Sequence, residues 1–560
     1  MAVDNKVLRL PLWIYGLSLD PRRLALQFTV LFLLWLLYKI IDLMVIQPNT
    51  SALRDLPGPD GYSLFLGHVP TIVKEPSPVP HENWAAQYGP TFQLRGILLS
   101  RRLFSMDPRA VAHVLNHPYD YPKPRLLRDV LTQILGQGML AAEGDEHRRQ
   151  RKIISPSFGT AQLRELMPIF YAKSNELRDR LLNKVTEGSG RAEEDVLRWL
   201  SRMALDVIGF AGFDYDLDSL AAGETNELAQ ASQKLQKSMT TVGLLGLLQS
   251  RIQILRLIPN ERQRLMKKSR EVMDRVGMDL VQRRKAALLH ESAGELKSSS
   301  VVGRDLLSIL VKANMATDLK DSERMTDDEM MGQINTMLAA GQETTSTSAM
   351  WLLYDISLPQ YLPIQEKLRA ELMSVTSKSP TMEELNALPY LDAVVRENLR
   401  INAPVAGTHR TAARDDVIPL STPIVDRNGV KRHEVRVSKG DVMFISMLAM
   451  NRDKSVWGED ALEFKPERWL DPDAHPRVNE LPGVYSGLMT FLGGPRHCIG
   501  YRFSILQLKV MIFTLIRSIS FTLPDPAPVI TRRSEIVTLP VIKQPDGTER
   551  SCMPLVLKAV

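Results

Sequence analysis

The residues with the clearest chemical potential lie in a glycine-rich segment near the C-terminus, residues 491–500, FLGGPRHCIG. A cysteine thiolate can bind a metal when its loop brings the backbone close and points amide groups at the sulfur. Gly494 gives such a loop conformational freedom, and the Phe491 ring can shield the sulfur. Arg496 adds positive charge two residues before Cys498. The pattern therefore favours a cysteine-ligated metal site over a buried structural cysteine in a turn.

An acid and a base three residues apart form the second motif. Glu397 and Arg400 share one face of a helix that is predicted to begin near Pro389. Such a pair is usually a surface ion pair worth about 0–1 kcal/mol. A second arginine, Arg468, follows in the downstream segment FKPERW. One carboxylate between two guanidiniums would instead form a network that supports the cysteine segment.

The third motif is AGQETT at residues 340–345. The capping-box pattern TDDE that begins at Thr326 predicts a helix that runs towards Tyr354. A glycine and two threonines inside a helix reduce its stability, the glycine by about 1 kcal/mol relative to alanine. The motif is therefore either part of a bent core helix or a functional site. In a functional site, the carboxylate of Glu343 and the hydroxyl of Thr344 could relay protons.

A basic segment, GDEHRRQRK at residues 144–152, is the fourth motif. Its charge pattern fits a solvated helix face as well as a site for anionic groups. His147 and Arg151 are four residues apart and so lie on the same helix face.

Together these motifs resemble those of the cytochrome P-450 superfamily. The segment around Cys498 fits the family's haem-binding pattern F-x-x-G-x-R-x-C-x-G at all five fixed positions. The E-x-x-R pair, the downstream P-E-R segment and the G-x-E-T-T helix follow the family's order. The resemblance covers roughly residues 50–560 and implies a mainly α (α+β) haem domain with small β-sheets. A fungal, membrane-bound member of the family is the best match.

The resemblance also implies roles for individual residues. Cys498 would be the axial ligand of the iron of haem b. The implied cofactor-binding residues are Cys498, Arg496, Phe491, Gly494, Arg151, His147 and Arg410. Arg414 lies close enough in sequence to leave the assignment of Arg410 open, and histidine stands at position 147 where the family usually has tryptophan. Glu343 and Thr344 would handle protons during oxygen activation. Glu397, Arg400 and Arg468 would form a structural triad, with Trp469 in place of the usual phenylalanine.

The activity implied by the resemblance is that of a monooxygenase, an oxidoreductase. It would insert one atom of O2 into a lipophilic small molecule, with electrons from NADPH through a membrane-bound reductase. Terpenoids, polyketides, fatty acids and polycyclic aromatics all fit, in secondary metabolism or in xenobiotic oxidation. The apolar segment 242–248 is expected to help admit such substrates. The alternatives are a reductase-independent haem-thiolate isomerase or dehydratase, and a non-catalytic membrane haem protein. An anchored protein without haem is a further possibility.

The composition fits a folded protein that has no nucleic-acid partner. The 560 residues include 70 Lys+Arg and 64 Asp+Glu, and no basic stripe with interleaved aromatic residues is present. The chain has two cysteines, which excludes a disulfide-rich scaffold, and Cys552 is interpreted as structural. Helical patterns dominate residues 108–402. The predicted strands are few and mostly C-terminal: Val435–Val437, Val442–Ile445, Ile536–Leu539 and Leu555–Leu557.

The N-terminal segment is predicted to anchor the protein in a membrane. Residues 24–46 are long and apolar enough to span a bilayer once, which divides the chain into an anchor (1–50) and a haem domain (51–560). Basic residues before the span predict that the N-terminus stays in the cytoplasm. The family resemblance implies the opposite orientation, with the haem domain on the cytoplasmic face of the endoplasmic reticulum. In that orientation the glycosylation sequence at Asn49 is not used.

Overall fold

A computed structural model describes most of the chain. Apart from a few shorter pieces, the described ranges are 21–222, 261–292, 305–315, 323–471, 476–534, 536–544 and 546–560. The apolar segment 242–248, which we expected to admit substrates, lies outside the described residues.

One helix in the described part of the chain is long and apolar enough to cross a membrane, Arg22–Thr50. It consists of an α-helix (Pro21–Ile41), one π-helical turn (Asp42–Ile46) and a last α-helical turn (Gln47–Thr50). Most side chains of its apolar run are exposed. The predicted span, 24–46, lies within this helix.

Helices form most of the body, as predicted. Those before residue 300 are Val69–Lys74, Val79–Tyr88, Pro108–Asn116, Arg125–Leu135, Gly144–Ile154, Thr160–Glu187, Val196–Phe213, Ser219–Ala222 and Glu261–Ser292. Those after it are Leu306–Met315, Asp327–Asp355, Leu362–Ser374, Met382–Asn386, Pro389–Ile401, Met447–Met450, Lys454–Trp457 and Tyr501–Ile516.

The strands form small sheets, which confirms the predicted fold class. They are β1 (Thr91–Arg95), β2 (Arg101–Ser105), β3 (Ala192–Asp195), β4 (Thr408–Thr411), β5 (Asp416–Val425), β6 (Lys431–Val437), β7 (Val442–Ile445), β8 (Ile519–Thr522), β9 (Ile530–Ser534), β10 (Thr538–Lys543), β11 (Glu549–Arg550) and β12 (Pro554–Ala559). The largest sheet has the order β1-β2-β7-β4, with β2 parallel to β7 and the other pairs antiparallel. The smaller sheets are β11-β10-β9, β3-β12-β8 and the hairpin β5-β6.

The central helix, Asp327–Asp355, runs through the core. Its capping box is formed as predicted, with the Thr326 hydroxyl and the Glu329 carboxylate each bonded to the other residue's amide. Most of its side chains are buried. The helix at Pro389–Ile401 also begins at the predicted residue. Buried faces of these helices and of Tyr501–Ile516 join one continuous apolar core.

Candidate active site

The loop that carries Cys498 is fixed by its own backbone. The Cys498 amide donates to the Phe491 carbonyl at 2.9 Å, and the Phe491 side chain is buried. Gly494 has φ +67°, and a Cβ there would lie 2.5 Å from the carbonyl oxygen of Leu115. Only glycine combines this left-handed conformation with such close contact. The geometry therefore gives a physical reason for the glycine that the sequence pattern requires.

The Cys498 side chain faces an internal space. Its surface is solvent-accessible. Burial is nevertheless the main cause that raises the pKa of its thiol, while the Gly500 amide and the Arg151 guanidinium favour the thiolate. A side chain that is both accessible and deep inside the protein lines a cavity. Cys552, by contrast, is buried beside β12.

Cationic side chains collect beside the Cys498 loop. Glu143 binds Lys123 at 3.0 Å and also pairs with Arg496, and both Lys123 and Arg496 are mostly buried. Arg410 is 3% exposed. The pKa of the Lys123 ammonium is lowered to about 8, mainly by burial. The positive charges of Arg496 and Arg410 also lower it. The pKa of Arg410 falls to about 10 because of burial and of Arg496.

His147 lies in the same region and is neutral. Burial and four surrounding cations lower the pKa of this imidazole to about 3. Its side chain is buried, on the helix Gly144–Ile154. A neutral imidazole remains able to donate one hydrogen bond to an anion.

Arg151 binds the cysteine loop directly. Its guanidinium donates to the His497 carbonyl at 2.8 Å and to the His497 ring nitrogen Nε2 at 2.9 Å. The other ring nitrogen of His497 donates to the Gly494 carbonyl. Arg151 therefore helps to hold the loop, in addition to any contact with a bound anion.

The sequence left open whether Arg410 or Arg414 binds the cofactor, and the two arginines have different surroundings in the structure. Arg410 is buried on β4, where it donates to the Thr408 hydroxyl and the His409 carbonyl. The Arg414 side chain is 67% exposed and pairs with Asp120 at 2.8 Å. Of the two, only Arg410 belongs to the buried cationic cluster.

Glu397, Arg400 and Arg468 are in contact. Arg400 binds both oxygens of Glu397, at 2.8 and 2.9 Å, and Arg468 donates to Oε1 at 2.9 Å. The indole N–H of Trp469 also donates to Glu397, at 2.9 Å. Burial alone would raise the pKa of Glu397, but the two arginines outweigh it, and the net pKa lies below its ordinary value. Trp469 is thus a fourth member of this network, because its indole makes a hydrogen bond that phenylalanine could not make.

A chain of hydrogen bonds connects this network to the cysteine loop. Arg400 donates to the Asn451 carbonyl at 3.0 Å. The Asn451 side chain accepts from the Met489 amide and donates to the Thr490 hydroxyl, both at 2.8 Å. Because Thr490 directly precedes Phe491, the position of Arg400 fixes the start of the loop.

The AGQETT segment lies on an uninterrupted stretch of the central helix. The Thr344 hydroxyl donates to the Ala340 carbonyl at 2.7 Å. A Cβ at Gly341 would lie 2.9 Å from the Cδ1 of Ile208, so the glycine permits close packing against the helix Val196–Phe213. On this mostly buried helix Ala340, Glu343 and Thr344 are accessible on one face. The Glu343 and Thr344 side chains are therefore partly accessible, as a proton relay would require.

Sequence reasoning missed Lys123 and Glu143. Each lies alone in a loop or at a helix end, and neither has a local pattern that marks it. In the basic segment 144–152, Arg148, Arg149 and Lys152 are candidates from sequence either for docking a reductase or for an ordinary solvated face. The structure pairs Arg149 with Glu329 inside the protein, whereas Arg148 and Lys152 are exposed.

The donor set fits a haem. Lys123, Arg410 and Arg496 carry three positive charges, Arg151 lies close by, and Glu143 carries one negative charge, so the cluster has a surplus of positive charge. The two propionate groups of a haem would offset this surplus, and burial of unbalanced cations is otherwise costly. Cys498 faces the interior with an amide and a guanidinium that favour its thiolate. These residues could therefore hold the iron and the propionates of one cofactor.

Comparison with known proteins agrees with this assignment. Residues 56–544 match the Cytochrome P450 family. Cytochrome P450 monooxygenase 205 of Postia placenta is 46% identical over 519 residues, which cover 92% of this chain and 94% of the relative. Cytochrome P450 monooxygenase claP of Ampulloclitocybe clavipes is 36% identical, over 92% and 95% of the two chains. A ganoderic acid synthetase of Ganoderma lucidum is 35% identical, over 85% and 89%.

These relatives share nearly their whole length with this chain, and most are named as monooxygenases, which are oxidoreductases. The family match spans the helix-rich body and the Cys498 loop. The chain therefore belongs to the cytochrome P450 family.

Proposed function

We propose that this protein is a membrane-anchored monooxygenase that holds haem b through Cys498 and oxidises a lipophilic small molecule. The observation that carries the proposal is the Cys498 side chain, which faces an internal space beside a cluster in which cations outnumber carboxylates. When bound, the haem supplies the iron at which O2 is activated.

The protein's own residues would hold the cofactor in place. Cys498 would bind the iron, with Phe491 and the Gly500 amide beside the sulfur to tune the thiolate. Arg410, Arg496 and Lys123 would bind the propionates, and His147 would donate one hydrogen bond. Arg151 and the network around Glu397 would keep the cysteine loop in position.

Glu343 and Thr344 would manage protons on the accessible face of the central helix. The Thr344 hydroxyl donates to a backbone carbonyl, so its oxygen remains able to accept a proton or a hydrogen bond from water. Glu343 can exchange a proton with solvent and pass it along the helix face.

The electrons would come from NADPH through a membrane-bound reductase. The exposed Arg148 and Lys152 are at the helix that carries Arg151, and they offer positive charge to such a partner. The apolar helix Arg22–Thr50 supports a single-pass anchor, and we place the protein in the endoplasmic reticulum with its haem domain in the cytoplasm. In that orientation the reductase and NADPH are on the same side as the haem domain.

The names of the relatives and the apolar anchor support a lipophilic substrate. One relative is named for ganoderic acid, which favours secondary metabolism over detoxification. A membrane-bound enzyme meets substrates that partition into the bilayer, so terpenoids and polyketides are the first classes to test.

The experiment expresses the full chain in microsomes with a co-expressed reductase. We expect a haem-thiolate spectrum and NADPH-dependent oxidation of at least one lipophilic compound. Cys498→Ala should remove both, and the matched control Cys552→Ala should keep both. A Cys498→Ala protein that retains the red-shifted ferrous–carbon monoxide band would refute the assignment. Turnover without reductase would instead indicate an isomerase or dehydratase.

A further inference from the structure

The buried carboxylate of Glu143 has no role in the function proposed so far. It stands at the start of the helix Gly144–Ile154, where it accepts from the Lys123 amide at 2.9 Å and from the Lys123 ammonium at 3.0 Å. Its other oxygen pairs with Arg496. Its side chain is 11% exposed. An acid is therefore placed inside a cluster of cations that would bind an acidic cofactor.

We propose that Glu143 is an internal counter-ion that competes with the haem propionates for Lys123 and Arg496 and so limits how tightly the haem is held. The proposal rests on the proposed function, because it requires that these cations face the propionates. In this role Glu143 acts through Lys123 and Arg496 and is not a catalytic residue.

Two opposite effects follow from the charges. Without haem, Glu143 relieves the repulsion among Lys123, Arg496 and Arg410, which stabilises the cofactor-free protein. With haem, the same carboxylate repels the propionates. The uncharged variant Glu143→Gln should therefore weaken the cofactor-free protein and strengthen haem retention.

The chain provides a matched control on the same helix. Asp145 is an exposed carboxylate two residues away that accepts from the Tyr119 hydroxyl at 2.7 Å. Asp145→Asn removes the same charge from the same helix start. Glu143→Asp keeps the charge and shortens the side chain by one methylene group.

The test measures transfer of haem from the purified full-length holoprotein to excess apomyoglobin. We expect Glu143→Gln to slow the transfer about tenfold, the scale for one charge in a partly buried site. Glu143→Asp and Asp145→Asn should remain within about twofold of the wild type. In the cofactor-free protein, Glu143→Gln should have a lower melting temperature. Equal or faster transfer in Glu143→Gln would overturn the proposal, and so would an equal slowing in Asp145→Asn.

A modified cofactor separates charge competition from a general structural effect. Protohaem dimethyl ester lacks the two propionate charges, so replacing Glu143 by glutamine should not slow its loss. An equal effect on both cofactors would contradict the proposal. A wild-type protein that binds no haem would instead refute the proposed function.

Discussion

Replacement of Glu397 by alanine tests whether the buried ion network supports the cysteine loop. Five donors converge on this carboxylate, from the side chains of Arg400 (two), Arg468 and Trp469 and from the Lys465 amide. After its removal Arg468 keeps a 3.3 Å contact with Asp460.

Arg400 is the residue most affected by the loss of the Glu397 carboxylate, because it makes two hydrogen bonds to it. Its side chain is fully buried, and of its described partners only backbone carbonyls and the face of the Trp457 ring would remain. A buried charge that loses its partner costs about 3–5 kcal/mol. For a domain of about 500 residues the entropy of unfolding is roughly 1 kcal/mol per kelvin, so the melting temperature should fall by about 3–5 °C.

The assay compares Glu397→Ala with Glu467→Ala by thermal unfolding and by haem content per polypeptide. Glu467 is next to Arg468, pairs with Lys367 at 2.8 Å and accepts from the Tyr390 hydroxyl at 3.0 Å, but the Glu467 and Lys367 side chains are about half exposed. The exposed pair is worth about 0–1 kcal/mol and the hydrogen bond about 1 kcal/mol, so the control should lose at most about 2 °C and keep its haem. Glu397→Ala should lose haem because Arg400 fixes the start of the loop through Asn451. Equal melting temperatures and equal haem content in the two variants would refute the reasoning.

Three further predictions concern protons, packing and orientation. Thr344→Ala should bind haem and substrate normally but divert NADPH-derived electrons into hydrogen peroxide, and full coupling of NADPH consumption to product would contradict the role of the hydroxyl. Trp469→Phe should remove one hydrogen bond to Glu397 and cost about 1 kcal/mol, seen as a melting temperature about 1 °C lower, and an unchanged value would mean that the indole bond contributes nothing. In sealed microsomes added protease should digest the haem domain, and Asn49→Gln should not change the electrophoretic mobility of the protein. A glycosidase-sensitive shift that Asn49→Gln abolishes would place the domain in the lumen.

Local patterns predicted the helices, and long-range pairing decided the strands. The central helix follows from its capping box. β2, with the sequence RRLFS, contains two arginines and no clear alternation, so it was not predicted. It becomes a strand because it pairs with β1 and, across more than three hundred residues, with Val442–Ile445 of β7. The predicted run Ile536–Leu539 overlaps only the first residues of β10 for the same reason: its partner, β9, sets where the strand begins.

Site residues within continuous motifs could also be predicted from sequence, whereas those that depend on long-range contacts could not. Residues of continuous motifs, such as Cys498 and Glu397, could be found because their neighbours carry the pattern. Lys123 and Glu143 are 20 residues apart and meet only in the folded protein. Their role appears once burial and charge are known, since neither residue differs in sequence from an ordinary surface residue.

The folded structure is also relevant to the membrane orientation, for which the count of basic residues and the family resemblance gave opposite predictions. The rule for basic residues counts those close to the span in sequence. In the structure Arg101 donates to the Pro48 carbonyl at 2.5 Å, and Arg54 donates to the Asn49 carbonyl at 3.2 Å. The Arg427 amide donates to the Asp55 carbonyl at 2.7 Å, which brings a third arginine to the same end of the anchor.

Positive charges at a membrane surface are attracted to the anionic lipids of the cytoplasmic leaflet by about 1 kcal/mol each. The rule for basic residues does not count Arg101 and Arg427, because they are far from the span in sequence. Once the domain has folded, both lie at the end of the anchor and can add to this attraction. Arg54 and Arg427 are exposed, but they pair with Asp55 at 3.3 Å and with Asp60 at 3.8 Å, which offsets much of their charge. The folded domain therefore opposes the N-terminal charge bias chiefly through Arg101, whose described partners are a carbonyl and an amide oxygen rather than a carboxylate. This contribution favours the proposed cytoplasmic haem domain, and a count of basic residues along the sequence next to the span does not include it.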